Sequence, residues 1–252
     1  MPIFRQAVFF QTVADLRDLP GDAVREVAFA GRSNVGKSSV INTLADHTRL
    51  AFVSKTPGRT QHLNFFALSD GRYFVDLPGY GFARTPEEIR GQWEGLLAPY
   101  LRYRSPLAGL VLVIDSRHPL TELDWHMLEW FAPTGKPVHI LLSKADKLTR
   151  QAQANALRTV RDAVGRTGAQ CSVQLFSSLK RTGIDEAEAV LGRWLNMDVD
   201  AAGDTSPAPP LAKPGKVARV KNRRAIGWSA RTAGKTGKEA ASRAGGKAGA
   251  DG

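Results

Sequence analysis

The segment Gly31-Arg32-Ser33-Asn34-Val35-Gly36-Lys37-Ser38 fits the pattern G-x-x-x-x-G-K-[ST]. It directly follows the apolar run Val27-Ala28-Phe29-Ala30 and opens a helical pattern that begins with Ser38 and Ser39. Residues of these types in this order bind phosphate. Gly31 and Gly36 let the backbone wrap closely, so that successive N–H groups point at phosphate oxygens, and the helix that follows adds its positive end. Lys37 then reaches the β- and γ-phosphate oxygens, and the Ser38 hydroxyl is placed to bind Mg²⁺.

Asp76-Leu77-Pro78-Gly79 ends the apolar run that starts at Tyr73. An Asp at the carboxyl end of a parallel strand can hold Mg²⁺, usually through a water. The Gly79 amide can then contact the γ-phosphate, so that the segment after it senses which nucleotide is bound. Between the two motifs lies Ser54-Lys55-Thr56-Pro57-Gly58-Arg59-Thr60-Gln61. Mg²⁺ needs a second protein ligand when a γ-phosphate is present. Thr60, beside Gly58 and Arg59, is our choice, with Thr56 as the rival hydroxyl. Glycine and proline here suit a loop that orders on the triphosphate and loosens after hydrolysis.

Ser143-Lys144-Ala145-Asp146 follows the apolar run His139 to Leu142. The Asp146 carboxylate can accept two hydrogen bonds from the N1–H and exocyclic amine of guanine. Adenine offers no such pair, and a buried carboxylate left unpaired is costly. The Lys144 stem can cover the face of the base, while the Ser143 hydroxyl is too short for a base contact. Beyond Phe176, Ser177-Ser178-Leu179-Lys180 would offer backbone N–H groups to guanine O6. Four motifs in this order, at strand ends, specify GTP and GDP as ligands.

The elements that must position these residues alternate along the chain. Six apolar runs read as strands: residues 27–30, 63–68, 73–75, 110–114, 139–142 and 173–176. Near-continuous apolar runs suit strands covered on both faces. The short Ser69-Asp70-Gly71 link demands an antiparallel hairpin between the second and third, because a parallel crossover needs a dozen residues or more. Helices are expected over residues 38–45, 87–103 (with Pro86 near the start), around Leu123, Met127, Leu128 and Phe131, and over 152–164 and 185–194. The alternation predicts a three-layer α/β fold, its six-stranded sheet mostly parallel with one antiparallel strand and helices on both faces.

The chain has 252 residues, 42% of them hydrophobic, a single cysteine and a net charge of +11. Such a chain can bury a full core without disulfides or structural metal. Cys171 reads as a small apolar strand residue. No apolar run approaches the length of a membrane helix and the N-terminus lacks a signal-peptide plan, so a cytoplasmic protein without membrane association is expected. The segment 200–252 contains eleven Lys or Arg and four Asp or Glu, so it carries +7 of the total, and it is rich in Gly, Ala, Ser and Pro. It reads as a disordered basic tail on a domain spanning 1–199, either contacting RNA through phosphate or simply solvated.

The motifs, with Asp115-Ser116-Arg117-His118-Pro119-Leu120 and Lys144-Ala145-Asp146-Lys147-Leu148, resemble the EngB (YihA/YsxC) GTPases of bacterial ribosome assembly. The likeness runs from Phe4 to Met197 and leaves out the basic tail. It implies a role in maturation of the large (50S) ribosomal subunit, with ribosomal RNA and proteins as partners, and Mg²⁺ at Ser38 and Thr60. The family usually has Thr at position 143. Tyr80 stands where a Gln could orient the attacking water, which implies slow intrinsic hydrolysis with Lys37, Thr60 and Gly79 as the catalytic groups. Asn34 resembles the phosphate-loop Asn that holds K⁺ in potassium-stimulated GTPases; otherwise it caps the loop. Arg117 and His118 form either a partner contact or a capped, solvated turn. Tyr80, Phe82, Trp93 and Tyr100 form either an RNA-stacking surface or a buried face. An RNA-binding scaffold with structural nucleotide is the alternative function, and a monomer is expected.

Overall fold

Apolar runs without polar alternation become the middle of a seven-stranded sheet. The computed structural model describes residues 2–51, 62–81, 93–166 and 170–197; all of these fall in the first of two units, Met1–Ala208. The strands are β1 (Val8–Val13), β2 (Arg25–Gly31), β3 (Leu63–Ser69), β4 (Arg72–Asp76), β5 (Leu107–Asp115), β6 (Val138–Ser143) and β7 (Cys171–Leu175). Their order is β1-β3-β4-β2-β5-β6-β7. β3 runs against β4 and β1, and the other pairs are parallel. Among the described residues the sheet thus has one antiparallel strand, as expected, and seven strands where six were expected. The seventh is β1, an edge strand whose register with β3 shifts between Phe9 and Gln11 and whose Val8 and Phe9 are exposed. Broken alternation and exposed apolar side chains hide such a strand from a periodicity reading.

The helices are α1 (Lys37–Leu44), α2 (Ala98–Tyr103), α3 (Glu122–Phe131), α4 (Arg150–Gly165) and α5 (Ile184–Leu195). Of the long helix expected over 87–103, a five-residue π turn (Trp93–Leu97) and α2 are described; residues 87–92 lie outside the described residues. Alternate residues of β2 and β5 enter two different cores. Val27, Phe29, Val111 and Val113 meet Val40, Ile41 and Leu44 of α1 and Leu191 and Leu195 of α5. Ala28, Ala30, Leu110 and Leu112 face Tyr100, Met127, Phe131, Val160 and Val164 on the other side. Burial on both faces is the reason these strands carry no polar alternation. Among the described residues no helix is long and apolar enough to cross a membrane.

Parallel strands bring their carboxyl ends to one edge. Gly31 pairs in register with Val113, Phe29 with Asp76, and Asp115 with Ser143. The motif residues therefore converge there although they are far apart in sequence. At the opposite edge the fully buried Glu26 accepts from Arg104 Nη2 and Nε at 2.5 and 2.9 Å and from the Tyr100 hydroxyl at 2.9 Å, anchoring the end of α2. Tyr100 is buried and offers no stacking surface. Cys171 opens β7, half-buried.

Candidate nucleotide site

The phosphate loop leaves β2 at a position only glycine can fill. A Cβ on Gly31 would lie 2.7 Å from the Val113 carbonyl oxygen and 2.9 Å from Val35 Cγ2. Two residues of the loop take left-handed backbone, Asn34 at φ 65° and Gly36 at φ 99°, and Gly36 is the N-cap of α1. The Val35 side chain is buried in the core, so this residue faces the site only through its backbone. Arg32 and Ser33 are half-buried and Asn34 is exposed. Lys37, Ser38 and Ser39 form the first turn of α1, where the helix dipole favours anions.

Asp76 ends β4, where Leu77 still donates to the Phe29 carbonyl at 3.0 Å, so β2 and β4 stay paired to the site's edge. The Asp76 carboxylate is ion-paired with the Lys37 ammonium, both largely buried. Leu77 is core, and Pro78 and Gly79 lead away from it. Gly79 lies close against the phosphate loop: a Cβ there would be 3.0 Å from Ser33 Oγ. The next residue zips to the loop, Tyr80 N–H donating to the Gly31 carbonyl (3.3 Å) and Ser33 N–H to the Tyr80 carbonyl (3.0 Å). The Tyr80 ring is buried, which removes it from any RNA-stacking surface. Thr56, Gly58, Arg59, Thr60 and Phe82 lie outside the described residues, as does the Trp93 side chain.

The base-recognition residues are bonded to the phosphate loop. Ser143 is buried, its Oγ 2.6 Å from the Val35 carbonyl oxygen and 3.1 Å from that of Ile114. Lys144, in left-handed backbone at φ 56°, sends Nζ to the Asn34 carbonyl at 2.6 Å and to Asp115 Oδ2 at 2.9 Å. Asp115 is also chelated by Arg117 through Nε at 2.9 Å and Nη2 at 2.7 Å. Hydrogen bonds from Arg117 and Lys144 outweigh its partial burial and hold this carboxyl well below the usual range. Arg117 thereby belongs to a capped turn that fixes Asp115, while its guanidinium stays substantially exposed.

Asp146 has a largely buried carboxylate, and Ser177 Oγ donates to its Oδ1 at 2.5 Å. Ser177 is also one of the residues expected to offer a backbone N–H to guanine O6. Its N–H is spent on the Thr182 carbonyl at 3.1 Å, because Ser177 and Thr182 close a tight turn, and its hydroxyl instead orients Asp146. Ser178 follows it on the turn, half-buried. The Phe176 ring is fully buried, its N–H donates to the Leu142 carbonyl and its carbonyl accepts from Ala145 N–H. It supports the turn from behind. Ala145, buried and bonded to Phe176, acts in the same way. Sequence reasoning gave no role to Asp115, since a lone carboxylate after a strand has no distinguishing pattern.

The arrangement is a phosphate cradle joined to a carboxylate-bearing base pocket. The family model described as "50S ribosome-binding GTPase" matches residues 26–144. A "Probable GTP-binding protein EngB" of Dechloromonas aromatica is 61% identical over 217 residues, covering 85% of this chain and 98% of that protein. The protein of the same name in Methylobacillus flagellatus is 57% identical over 204 residues, covering 81% and 99%. A crystal structure of a probable GTP-binding protein engB superimposes with a TM-score of 0.53 at 18% identity, covering 68% of this chain and 98% of that one. The bacterial selenocysteine-specific elongation factor EF-Sec does so with 0.53 at 16%, covering 69% and 29%; at these identities the likeness is one of fold. The chain belongs to the EngB family of GTP-binding proteins, GTPases of the P-loop α/β fold.

Proposed function

We propose that this chain is a GTP-hydrolysing switch acting in assembly of the large (50S) ribosomal subunit, with Mg²⁺ at the phosphates. The observation that carries the GTP reading is the double bond between base motif and phosphate loop, Ser143 to Val35 and Lys144 to Asn34, with Asp146 held beside them by Ser177. One rigid body then grips both ends of a guanine nucleotide. Ribosomal action rests on the family membership and on the name of the matching family model.

In the mechanism that follows, Asp146 selects guanine, the phosphate-loop N–H groups and Lys37 hold the β- and γ-phosphates, and the Gly79 amide faces the γ-phosphate. Charge that develops on the phosphoryl oxygens during attack by water is met by these donors. The donor set at Ser38 and Asp76, a hydroxyl and a carboxylate, is the hard oxygen chemistry Mg²⁺ requires, and Thr60 would join them on the triphosphate. Bound there, Mg²⁺ would neutralise phosphate charge. Lys37, already paired with Asp76, is poised to exchange that carboxylate for phosphate oxygens. Tyr80, with its hydroxyl turned to Asp124, supplies no group to orient the water, in keeping with slow intrinsic turnover. The Asn34 side chain is exposed and would serve a K⁺ beside the phosphates; equal rates in Na⁺ and K⁺ would remove that role.

The test is sedimentation of the full chain with large ribosomal subunits in the presence of a non-hydrolysable GTP analogue, GDP or ATP. Association with the GTP form alone, lost on substitution of Asp146, supports the switch. Association indifferent to nucleotide favours an RNA-binding scaffold. Removing residues 200–252 in the same assay asks whether the basic tail contacts RNA. A cytoplasmic monomer fits this role.

A further inference from the structure

Tyr80 occupies the position after the γ-phosphate glycine, yet none of the chemistry above uses its side chain. We infer that Tyr80 is a positioning residue for GTP hydrolysis: its phenol, tied to Asp124 on α3, fixes the Gly79 backbone against the phosphate loop.

The geometry has three parts. On one side, the Tyr80 backbone is bonded to the phosphate loop in both directions, through the Gly31 carbonyl and Ser33 N–H. On the other side, Gly81 turns at φ 91° against α3, where a Cβ would lie 3.1 Å from Leu123 Cδ1. Between them the Tyr80 hydroxyl donates to Asp124 Oδ1 at 2.8 Å. The segment is thereby clamped between the loop that holds phosphate and the first turn of α3.

The anchor is itself fixed. Asp124 is 1% exposed, and its second oxygen accepts from Thr121 N–H at 2.9 Å and Thr121 Oγ1 at 2.8 Å, the capping box that starts α3. Rotating Asp124 would uncap the helix, and withdrawing the Tyr80 hydroxyl would leave a buried donor and a buried carboxylate without each other. One phenol rotamer is therefore strongly preferred, and with it the place of the Gly79 amide. Burial, reinforced by the Asp124 charge, also drives the phenol far above its ordinary pKa, so it stays a neutral donor. The bonds to the phosphate loop come from the Tyr80 backbone, and the phenol adds the one contact that ties this segment to the cap of the neighbouring helix.

The test is single-turnover GTP hydrolysis by the full chain carrying Tyr80→Phe, alongside dissociation constants for GTP and GDP. The rate constant is expected to fall tenfold or more while both affinities stay within twofold. His126→Gly, at an exposed position in the middle of α3, loosens the helix without touching Asp124 and should leave the rate within twofold. A wild-type rate in Tyr80→Phe overturns the inference, and so does an equal rate loss in His126→Gly. Should Tyr80→Phe fail to fold, Asp124→Ala addresses the same contact by taking the acceptor away. A threefold or greater slowing with unchanged GDP affinity supports positioning, and an unchanged rate rejects it.

Discussion

The Ser143 hydroxyl lies 2.6 Å from the carbonyl oxygen of Val35, so the residue that opens the base-recognition motif is bonded to the phosphate loop 108 positions earlier. The bond is buried and leaves Ser143 no spare proton for the base. Its function is to keep the loop and the base pocket at a fixed separation. Ser143→Ala should therefore weaken GTP and GDP together, by roughly tenfold, the equivalent of about 1.4 kcal/mol for a lost buried hydrogen bond. Isothermal titration with the two nucleotides checks this. A loss confined to one of them would mean that Ser143 answers to the γ-phosphate instead.

In the proposed function Asp146 carries the choice of base, and Ser177 points its carboxylate by a 2.5 Å hydrogen bond. Asp146→Asn keeps the shape but replaces one acceptor with a donor, which clashes with the guanine amine and complements the O2 of xanthine. GTP affinity should fall about a hundredfold, roughly 2.7 kcal/mol, with xanthosine triphosphate binding gained. Competition between the two triphosphates measures it. Retained GTP preference in the variant would refute Asp146 as the selector.

How much of this was legible in the sequence follows from what each residue needs. The turn from β2 into α1 was readable because glycine spacing encodes a local backbone shape, left-handed at Gly36, that tertiary contacts only refine. The parallel sheet was readable because β2, β5 and β6 are buried on both faces. β1 was not, since its pairing depends on a register shift and on contacts with β3 some fifty residues away. The side-chain partners of the site were illegible for the same reason. Nothing near Ser177 says that its amide is spent on Thr182, and nothing near Tyr80 says that its hydroxyl ends on Asp124. These depend on the tertiary arrangement.

Glu26 tests whether the far edge of the sheet is independent of the nucleotide. It is fully buried, paired with Arg104 and bonded to Tyr100, whose phenol is raised well above its usual pKa by burial and by the Glu26 charge. Glu26→Ala would leave the Arg104 guanidinium buried without its counter-charge, a loss of about 3–5 kcal/mol in stability. Glu26 precedes Gly31 by five strand residues, about 16 Å, so nucleotide affinity of the folded variant should be unchanged. Urea denaturation and nucleotide titration separate the two effects; a parallel drop in affinity would show that the edges are coupled.

His139 makes stability depend on acidity. It is buried between β6 and β7, its Nε2 2.8 Å from Gln174 Oε1 and its Nδ1 2.7 Å from Ser172 Oγ. Gln174 commits its amide nitrogen to the Gly183 carbonyl at 2.7 Å, so Oε1 must accept from the imidazole. Nε2 therefore carries the proton and Nδ1 accepts from Ser172, which is the neutral ring. Burial lowers the pKa below its ordinary 6.5, more strongly than the Gln174 bond raises it. The unfolded chain consequently binds a proton below about pH 6.5 that the folded chain resists, and stability declines as pH falls through that value. Urea midpoints for the wild type and His139→Gln at pH 8 and pH 5.5 test the assignment. The wild type should lose more stability than the variant over this interval, and equal losses would mean that other groups dominate the acid response.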